Sequence, residues 1–592
     1  MNQGYPVHTG AWTNWSRGQI LGATVTLTRQ AASLVIAFTS TFIAFVATRV
    51  WRLLCFSLHR YYSDMGPQGT TYHQLQAILR NAAAPEDGTR LFLRMLSMKR
   101  RKTTWYAQLL FSTTCGTILL VSFTVLGGFS SSIATSDNEV LIQSAGCGYV
   151  FLGSIQKGAN YAQQCFSNED HQFDCDHFVK EMVTGTIDNN ATCPFDNSVC
   201  VGEWGNISID SGFINSHLHL GINALSEERI LWRNVLHCAP LTTASFTSLD
   251  TESQPNDVLF HYGNLSTRSG STDYMFRIPD LTPNTQALYL KRSRRNGTVI
   301  EINSDFVPID ALVRADADTI LIFLSGNGVA FSEHTNDVLY NVSTTATNIP
   351  QANGYVTQQV YFPHAPASPL ACANQHQFCT NEHPSRCGPL ASLRDAVAGA
   401  APLFATTYAG VVDSTATTEK AARFIYFTNG FFAVNRDVAG LDVAHLWDIT
   451  MAIAQEIYLD SAYGQSSPGL EHSRENYTAS EFESVCRNQR KIKSTAYTSL
   501  SIFGLVFIYL VGFLLALVSY LVEPASAWLH KRCSYGQCKH LGWTTNATLQ
   551  LQRLAHEGIG QGTWSKGVET VPTAKEDEPL ACWIFQIWNI LC

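Results

Sequence analysis

Two imidazoles one residue apart, in His217-Leu218-His219, are the first pattern in the chain that could hold a metal ion. On a strand they would share one face, because side chains alternate with a period of two. Asn215 and other polar neighbours favour ordinary hydrogen-bonded histidines instead. His530, Cys533, Cys538 and His540 offer four nitrogen and sulfur ligands, but their Cys-x4-Cys spacing is looser than that of most structural zinc sites. Asp316-Ala317-Asp318 precedes an apolar run and reads as the end of a turn, since Ca²⁺ needs more oxygen ligands than these. His556-Glu557 lacks the second histidine of a zinc-protease helix, and Gly-x-Ser-x-Gly is absent from the chain. Gly558-x-Gly560-x-Gly562 follows no apolar strand and reads as a turn, not a dinucleotide site. No catalytic residue, metal ligand or cofactor is assigned from these residues.

The elements that would carry such groups are set by three apolar runs. They cover 31–54, 106–129 and 497–522, each long enough to cross a bilayer of about 30 Å. The first starts too late, and lacks the basic leader and cleavage site, for a cleaved signal peptide. No Asp, Glu, Lys, Arg or His lies in Ala31–Thr48 or in the other two spans. Ion and proton pathways use such groups, so transport is disfavoured. Ser112 with Gly116, and Gly504 with Gly512, allow close helix approach, and packing among the chain's own spans is the simpler use.

Basic residues stay on the cytoplasmic side. The 55–105 loop holds Arg60, Arg80, Arg90, Arg94, Lys99, Arg100, Arg101 and Lys102 against Asp64, Glu86 and Asp87. That places the loop inside, the 1–30 segment and the 130–496 domain outside, and the 523–592 tail inside. Arg487, Arg490, Lys491 and Lys493, outside the third span, disagree locally with Lys531, Arg532 and Lys539. Sequons and cysteines decide the matter. Asn14, Asn190, Asn206, Asn264, Asn296, Asn341 and Asn476 all fall on the outer side, and only Asn546 falls inside. Ten cysteines lie in the outer domain: Cys147, Cys165, Cys175, Cys193, Cys200, Cys238, Cys372, Cys379, Cys387 and Cys486. An even number in an oxidising compartment predicts disulfides, whose pairing spacing does not decide. Cys193 with Cys200 is the plausible local bridge, and Cys372, Cys379 and Cys387 should pair within the domain.

The expected fold is a membrane protein with three transmembrane α-helices plus a disulfide-stapled α+β extracytoplasmic domain. Thr298–Asn303, Thr319–Phe331 and Tyr355–Phe362 carry strand signals in a β-rich part before Phe362. After Ala391 the texture turns helical: Leu446, Ile449, Ile453 and Ile457 form one helix face, and Ser480 with Glu483 resembles a capping box. The inner loop reads as two amphipathic pieces broken at Pro85-Glu86-Asp87-Gly88, suited either to an anionic leaflet or to a solvated linker. The terminal Trp583, Phe585, Ile587, Trp588 and Leu591 suit a surface anchor or docking onto protein, with Cys533, Cys582 and Cys592 as possible lipidation sites. Despite 39 basic and 47 acidic residues, no basic stripe with interleaved aromatics appears in the outer domain, so no nucleic-acid partner is expected.

Several short segments together resemble a group of fungal multi-span membrane proteins of undefined activity. They are Tyr72-His73-Gln74 to Ile78-Leu79-Arg80-Asn81; Asn206-Ile207-Ser208-Ile209-Asp210-Ser211-Gly212; Trp232-Arg233 with Cys238-Ala239-Pro240-Leu241; Asp316-Ala317-Asp318; and Cys372, Gln377-Phe378-Cys379 and Cys387. The resemblance implies three spans and a glycosylated outer domain, and brings no catalytic residues. The expected function is a glycoprotein anchored in a plasma or internal membrane, with an outer domain for binding or assembly and the lipid bilayer as its one named partner. The alternative is an extracytoplasmic enzyme or a membrane accessory component of a natural-product pathway.

Overall fold

The computed structural model describes residues 7–64, 66–98, 105–129, 139–143, 149–150, 183–249, 257–265, 274–277, 287–301, 304–325, 334, 338–339, 342–351, 354–363, 365–381, 386–401, most of 443–455, 474–475, 491–533, 537–569, 571–575 and 580. They fall into two compact units, 1–22 with 138–495, and 23–137 with 496–592.

The first unit is built on an antiparallel sheet of β1 (Thr186–Ala191), β2 (Asn206–Asp210), β3 (Ile230–Pro240), β4 (Ala287–Ser293), β5 (Asp318–Ser325) and β6 (Ser368–Thr380). Their order is β4-β5-β6-β3-β2-β1, with the short strand Ile214–Asn215 added beside β3. The central strands are buried on both faces. On β5, Ile320, Ile322 and Leu324 enter one core, while Leu321 and Phe323 enter the other. This is why β5 reads as a continuous apolar run and not as an alternation. Strand β1, at the edge, is exposed over five of its six residues.

The first core takes in Trp232, Cys238 and Cys372 from the sheet, Leu393, Ala396 and Ala400 from the helix Leu393–Ala400, and Val443, Trp447 and Met451. Ser392 caps that helix, accepting from the Asp395 N–H. The second core packs Phe260, Tyr262, Phe306 and Leu312 against Leu321, Phe323 and Ala371. Phe260 meets Phe323 edge-on at 5.3 Å, within the usual range for aromatic pairs. Among the described residues, three disulfides staple the unit: Cys193–Cys200, Cys238–Cys372 and Cys379–Cys387. The local bridge between Cys193 and Cys200 is thus present, and Cys372, Cys379 and Cys387 do pair within the domain. Cys147, Cys165, Cys175 and Cys486 lie outside the described residues, as do Leu446, Ile449, Ile453, Ile457, Ser480, Glu483 and the return strand after Ser325.

The second unit holds α1 (Arg29–Tyr62), α2 (Thr70–Asn81), α3 (Pro85–Met98), α4 (Tyr106–Gly128), α5 (Ile502–Cys533), α6 (Gln537–Thr545) and α7 (Thr548–Gly558). Three of them, α1, α4 and α5, are long and apolar enough to cross a membrane. Helix α1 runs eight residues past the expected end at Leu54, and α5 runs on through Pro524 to Cys533. Residues Tyr497–Ser501, expected inside the third span, instead form a strand paired antiparallel with Ala23–Thr28. Thr26 and Ser499 are fully buried there and share a hydroxyl–hydroxyl bond of 2.9 Å. Pairing satisfies backbone groups of β-favouring Tyr and Thr that precede the uniformly apolar helix.

Helices α1 and α5 run parallel: Thr39 bonds Tyr509, Phe42 and Val46 flank Gly512, and Arg52 pairs with Glu523. Helix α4 runs antiparallel to α1, with Ser40 beside Gly127, Trp51 beside Gly116 and Tyr62 beside Ser112. Gly116 therefore serves packing within the bundle, against Trp51 and against Thr89 of α3. The described part of the segment between α1 and α4 is folded. Leu75 and Leu79 of α2 and Phe92 of α3 bury against Trp51, Cys55, Leu58 and Leu109 in one core. A solvated linker does not describe it, because these apolar faces are covered by α1 and α4.

Candidate functional site

Among the described residues of the first unit, two serine–histidine pairs are within hydrogen-bond reach: Ser248 with His261 at 2.8 Å, exposed, and Ser16 with His217, which are distant in sequence. Ser16 Oγ lies 2.9 Å from His217 Nε2. His217 is fully buried in the turn after Asn215, where its Nδ1 accepts the Ala224 N–H at 3.3 Å. With Nδ1 accepting, the ring proton sits on Nε2 and is donated to Ser16. A general base needs Nε2 bare and facing the hydroxyl, so this tautomer holds the serine without activating it.

The surrounding bonds have the same character. Asn223 accepts the Trp15 N–H at 3.0 Å and donates to the Thr13 carbonyl at 2.8 Å, standing in for a strand partner. Arg229 donates to the Trp15 and Ala224 carbonyls. Together they clamp the 13–17 segment onto the 215–229 region. Asn223→Ala leaves two part-buried backbone groups without this partner, at about 1 kcal/mol. Faster tryptic cleavage at Arg17, with the disulfides intact, is the expected outcome. His219 Nδ1 accepts the Asn215 N–H at 2.8 Å, so both histidines, which the sequence favours as ordinary hydrogen-bonded residues over a metal pair, spend a ring nitrogen on the backbone.

A second polar cluster sits in the first core. Trp232 Nε1 donates to His376 Nδ1 at 3.2 Å, and Trp447 Nε1 donates to Asn234 Oδ1 at 3.2 Å. Asn234 donates in turn to Asn374 Oδ1 at 2.7 Å. Strand β3 supplies Trp232 and Asn234, and β6 supplies Asn374 and His376, all facing one side of the sheet. Their pairing makes burial tolerable and ties residue 447 to the sheet.

The charged groups are also committed. Arg233 forks onto Asp210, and this contact holds the Asp210 carboxyl below its usual range. Asp316 is held down first by its bond from Arg314, and it also accepts from Gln375. Asp318 caps two backbone groups, the Arg295 and Leu393 N–H. Asp316 thus lies in the turn that opens β5, as its sequence suggests. Burial pulls His237 below its usual value near 6.5, against the bond it donates to the Thr192 carbonyl at 2.7 Å. Its contribution is intact above about pH 6.5 and is lost as pH falls through the folded-state value. The denaturation midpoint should decline below that pH, and His237→Gln should flatten the decline.

Five outer sequons are described, and they differ. Asn190, Asn264 and Asn296 are exposed. Asn14 is buried, with Nδ2 donating to Glu139 at 2.9 Å, and Asn206 is buried with Nδ2 directed at the Ala191, Gly202 and Glu203 carbonyls. Asn341 and Asn476 lie outside the described residues.

In the second unit, α1, α2, α5 and α6 meet around Trp543. The guanidinium groups of Arg52 and Arg80 lie 4.7 and 4.6 Å from its ring centroid. Glu523 accepts from Arg52 Nε at 2.7 Å and from Trp543 Nε1 at 3.2 Å. Burial first, then Arg52, brings Arg80 down to about 10. His530 and His540 do come together, but the side chains of Cys533 and Cys538 lie outside the described ones, as do Cys582, Cys592 and the apolar terminus. Among the described residues no three His, Cys, Asp or Glu side chains form a metal-binding group. His556 is buried near Trp564, and Glu557 pairs with Arg553. Sequence reasoning missed the Ser16–His217 clamp and the Trp543 joint because both join residues hundreds of positions apart, with no local spacing to mark them. No protein-family model matches the chain, and neither the curated proteins nor the solved structures contain a match.

Proposed function

We propose that the chain is a three-span membrane glycoprotein whose extracytoplasmic domain binds a partner or supports an assembly, with the N-terminus outside and the C-terminal tail inside. The observation that carries this reading is the helix arrangement. With α1 and α5 parallel and α4 antiparallel, the chain crosses between units, near 22, 138 and 495, at one end of the bundle. Arg52, Arg60, Arg80, Lys531 and Arg532 lie toward the other end, where the positive-inside tendency puts the cytoplasm. The three described disulfides of the other unit, which the chain enters through those crossings, suit an oxidising compartment.

Binding is favoured over catalysis because the Ser16–His217 tautomer and the engaged Asp210, Asp316 and Asp318 serve structure. Chemical cross-linking on intact membranes, followed by identification of what joins to 138–495, tests the binding role. Deleting the gene and profiling metabolites tests the pathway alternative. Loss of one defined product, with no cross-linked partner, would replace the binding reading.

A further inference from the structure

At the inner end of α5 the apolar stretch stops at Val522, and the helix continues through Glu523 to His530-Lys531-Arg532. There the rings of His530 and of His540 from α6 lie 4.8 Å apart, with 29° between their planes. Arg60 of α1 reaches the same turn of the bundle, donating to Ser526 Oγ while its guanidinium lies over Phe56. Burial first, then the charges of His530, Arg60 and Lys531, hold the His540 imidazole below its usual value, and no carboxylate acts on it. Glu523, the acid on this part of α5, is engaged by Arg52 and Trp543. His530 Nδ1 is buried and has no hydrogen-bond partner among the described residues. Arg60, His530 and His540, from three helices, therefore meet beside exposed Lys531, with no counter-charge shown on them among the described residues, a set that an anion would complete.

We propose that Arg60, His530, Lys531 and His540 bind the phosphate of an inner-leaflet lipid headgroup of the phosphorylated-inositol class. The choice of class follows from depth, and it rests on the membrane reading above. Eight residues separate Val522 from His530, about 12 Å along a helix at 1.5 Å per residue. The headgroup layer extends only about 5–8 Å past the hydrocarbon. A phosphodiester at the glycerol falls short of the cluster, whereas a phosphomonoester on an inositol ring projects to it. Arg60 supplies a planar fork of donors, the histidines supply ring N–H groups, and exposed Lys531 supplies a mobile charge.

The test uses the full-length protein in nanodiscs of phosphatidylcholine alone, with phosphatidylserine, or with phosphatidylinositol bisphosphate, and counts retained lipid by native mass spectrometry. One phosphorylated inositol lipid per chain is expected, with at least tenfold lower retention in Arg60→Ala and His540→Gln. Lys531→Glu, at an exposed position outside the packing, should weaken retention while the thermal midpoint stays unchanged. Arg553→Ala, remote and paired with Glu557, should leave retention unaltered.

Equal retention of phosphatidylserine, or retention indifferent to the variants, would overturn the assignment. Binding of soluble inositol phosphate without retention of its lipid would overturn the lipid source. One zinc per chain without lipid would convert the cluster into a metal site. Failure to enter nanodiscs at all would instead count against the membrane reading itself.

Discussion

Replacing Cys238 and Cys372 together by alanine should lower the stability of the first unit by about 5 kcal/mol, the largest effect among the described bridges. The two residues face each other across β3 and β6, fully buried in the centre of the sheet, and close a loop with a sequence separation of 134. Cross-linking removes loop-closure entropy from the unfolded chain as about 2.1 + 1.5R ln n, roughly 5 kcal/mol for a loop of this size. The same expression gives only about 2.5 kcal/mol for Cys193–Cys200 and Cys379–Cys387, with separations of 7 and 8. The double variant should melt about 5–8 °C lower, because unfolding entropy grows with chain length and the unit of 1–22 with 138–495 is well above 250 residues. The local-bridge variants should lose about half as much. Equal losses for all three would mean that sheet packing, not chain topology, sets the cost.

The second large effect belongs to the helical unit. Trp51 is fully exclued from solvent, donates to the Ala82 carbonyl at 3.1 Å, and packs on both Gly88 of α3 and Gly116 of α4. Trp51→Ala should cost about 3–5 kcal/mol, as large-to-small core substitutions do. Gly116→Leu attacks the same joint from the other side. Its Cβ would sit 2.4 Å from Thr89 Oγ1 and 3.3 Å from the Trp51 ring, and atoms beyond Cβ have nowhere to go. Both variants should lower the thermal midpoint of the bundle, read by fluorescence-detected size exclusion in detergent, while the outer disulfides still form. An unaffected midpoint in Trp51→Ala would show that α2 and α3 are not integral to the bundle.

The three long apolar helices were legible because a bilayer-length apolar run has few other uses, and the small residues at 112 and 116 already pointed to close helix packing. Their ends were less so. Tyr497–Ser501 passes a hydropathy test but reads Tyr-Thr-Ser-Leu-Ser, whose strand partner lies at Ala23–Thr28, across more than 450 residues. Strand β6 was hidden for a related reason. Its Asn374, Gln375 and His376 look like loop residues, and they are tolerated in a central strand because Asn234, Trp232 and Asp316 supply bonds from elsewhere. The inner-loop face at Leu75 and Leu79 was visible as a period, but what covers it was not. The site residues show the same limit. His217 stands out by spacing, whereas its partner Ser16 is marked only as part of the Asn14 sequon, which says nothing of the contact.

Glycan mapping on the native protein tests the central claim most directly, that residues 138–495 face an oxidising, glycosylating compartment while the inner loop and tail do not. Enzymatic release in heavy-oxygen water, followed by peptide mass spectrometry, marks every occupied asparagine. The account predicts labels at exposed Asn190, Asn264 and Asn296. It predicts none at Asn14 or Asn206, whose Nδ2 groups are buried in hydrogen bonds, and none at Asn546, whose Nδ2 donates to the Gly542 carbonyl at 2.7 Å and which the proposed orientation puts in the cytoplasm. A label at Asn546, or a wholly unlabelled 138–495 region, would contradict it.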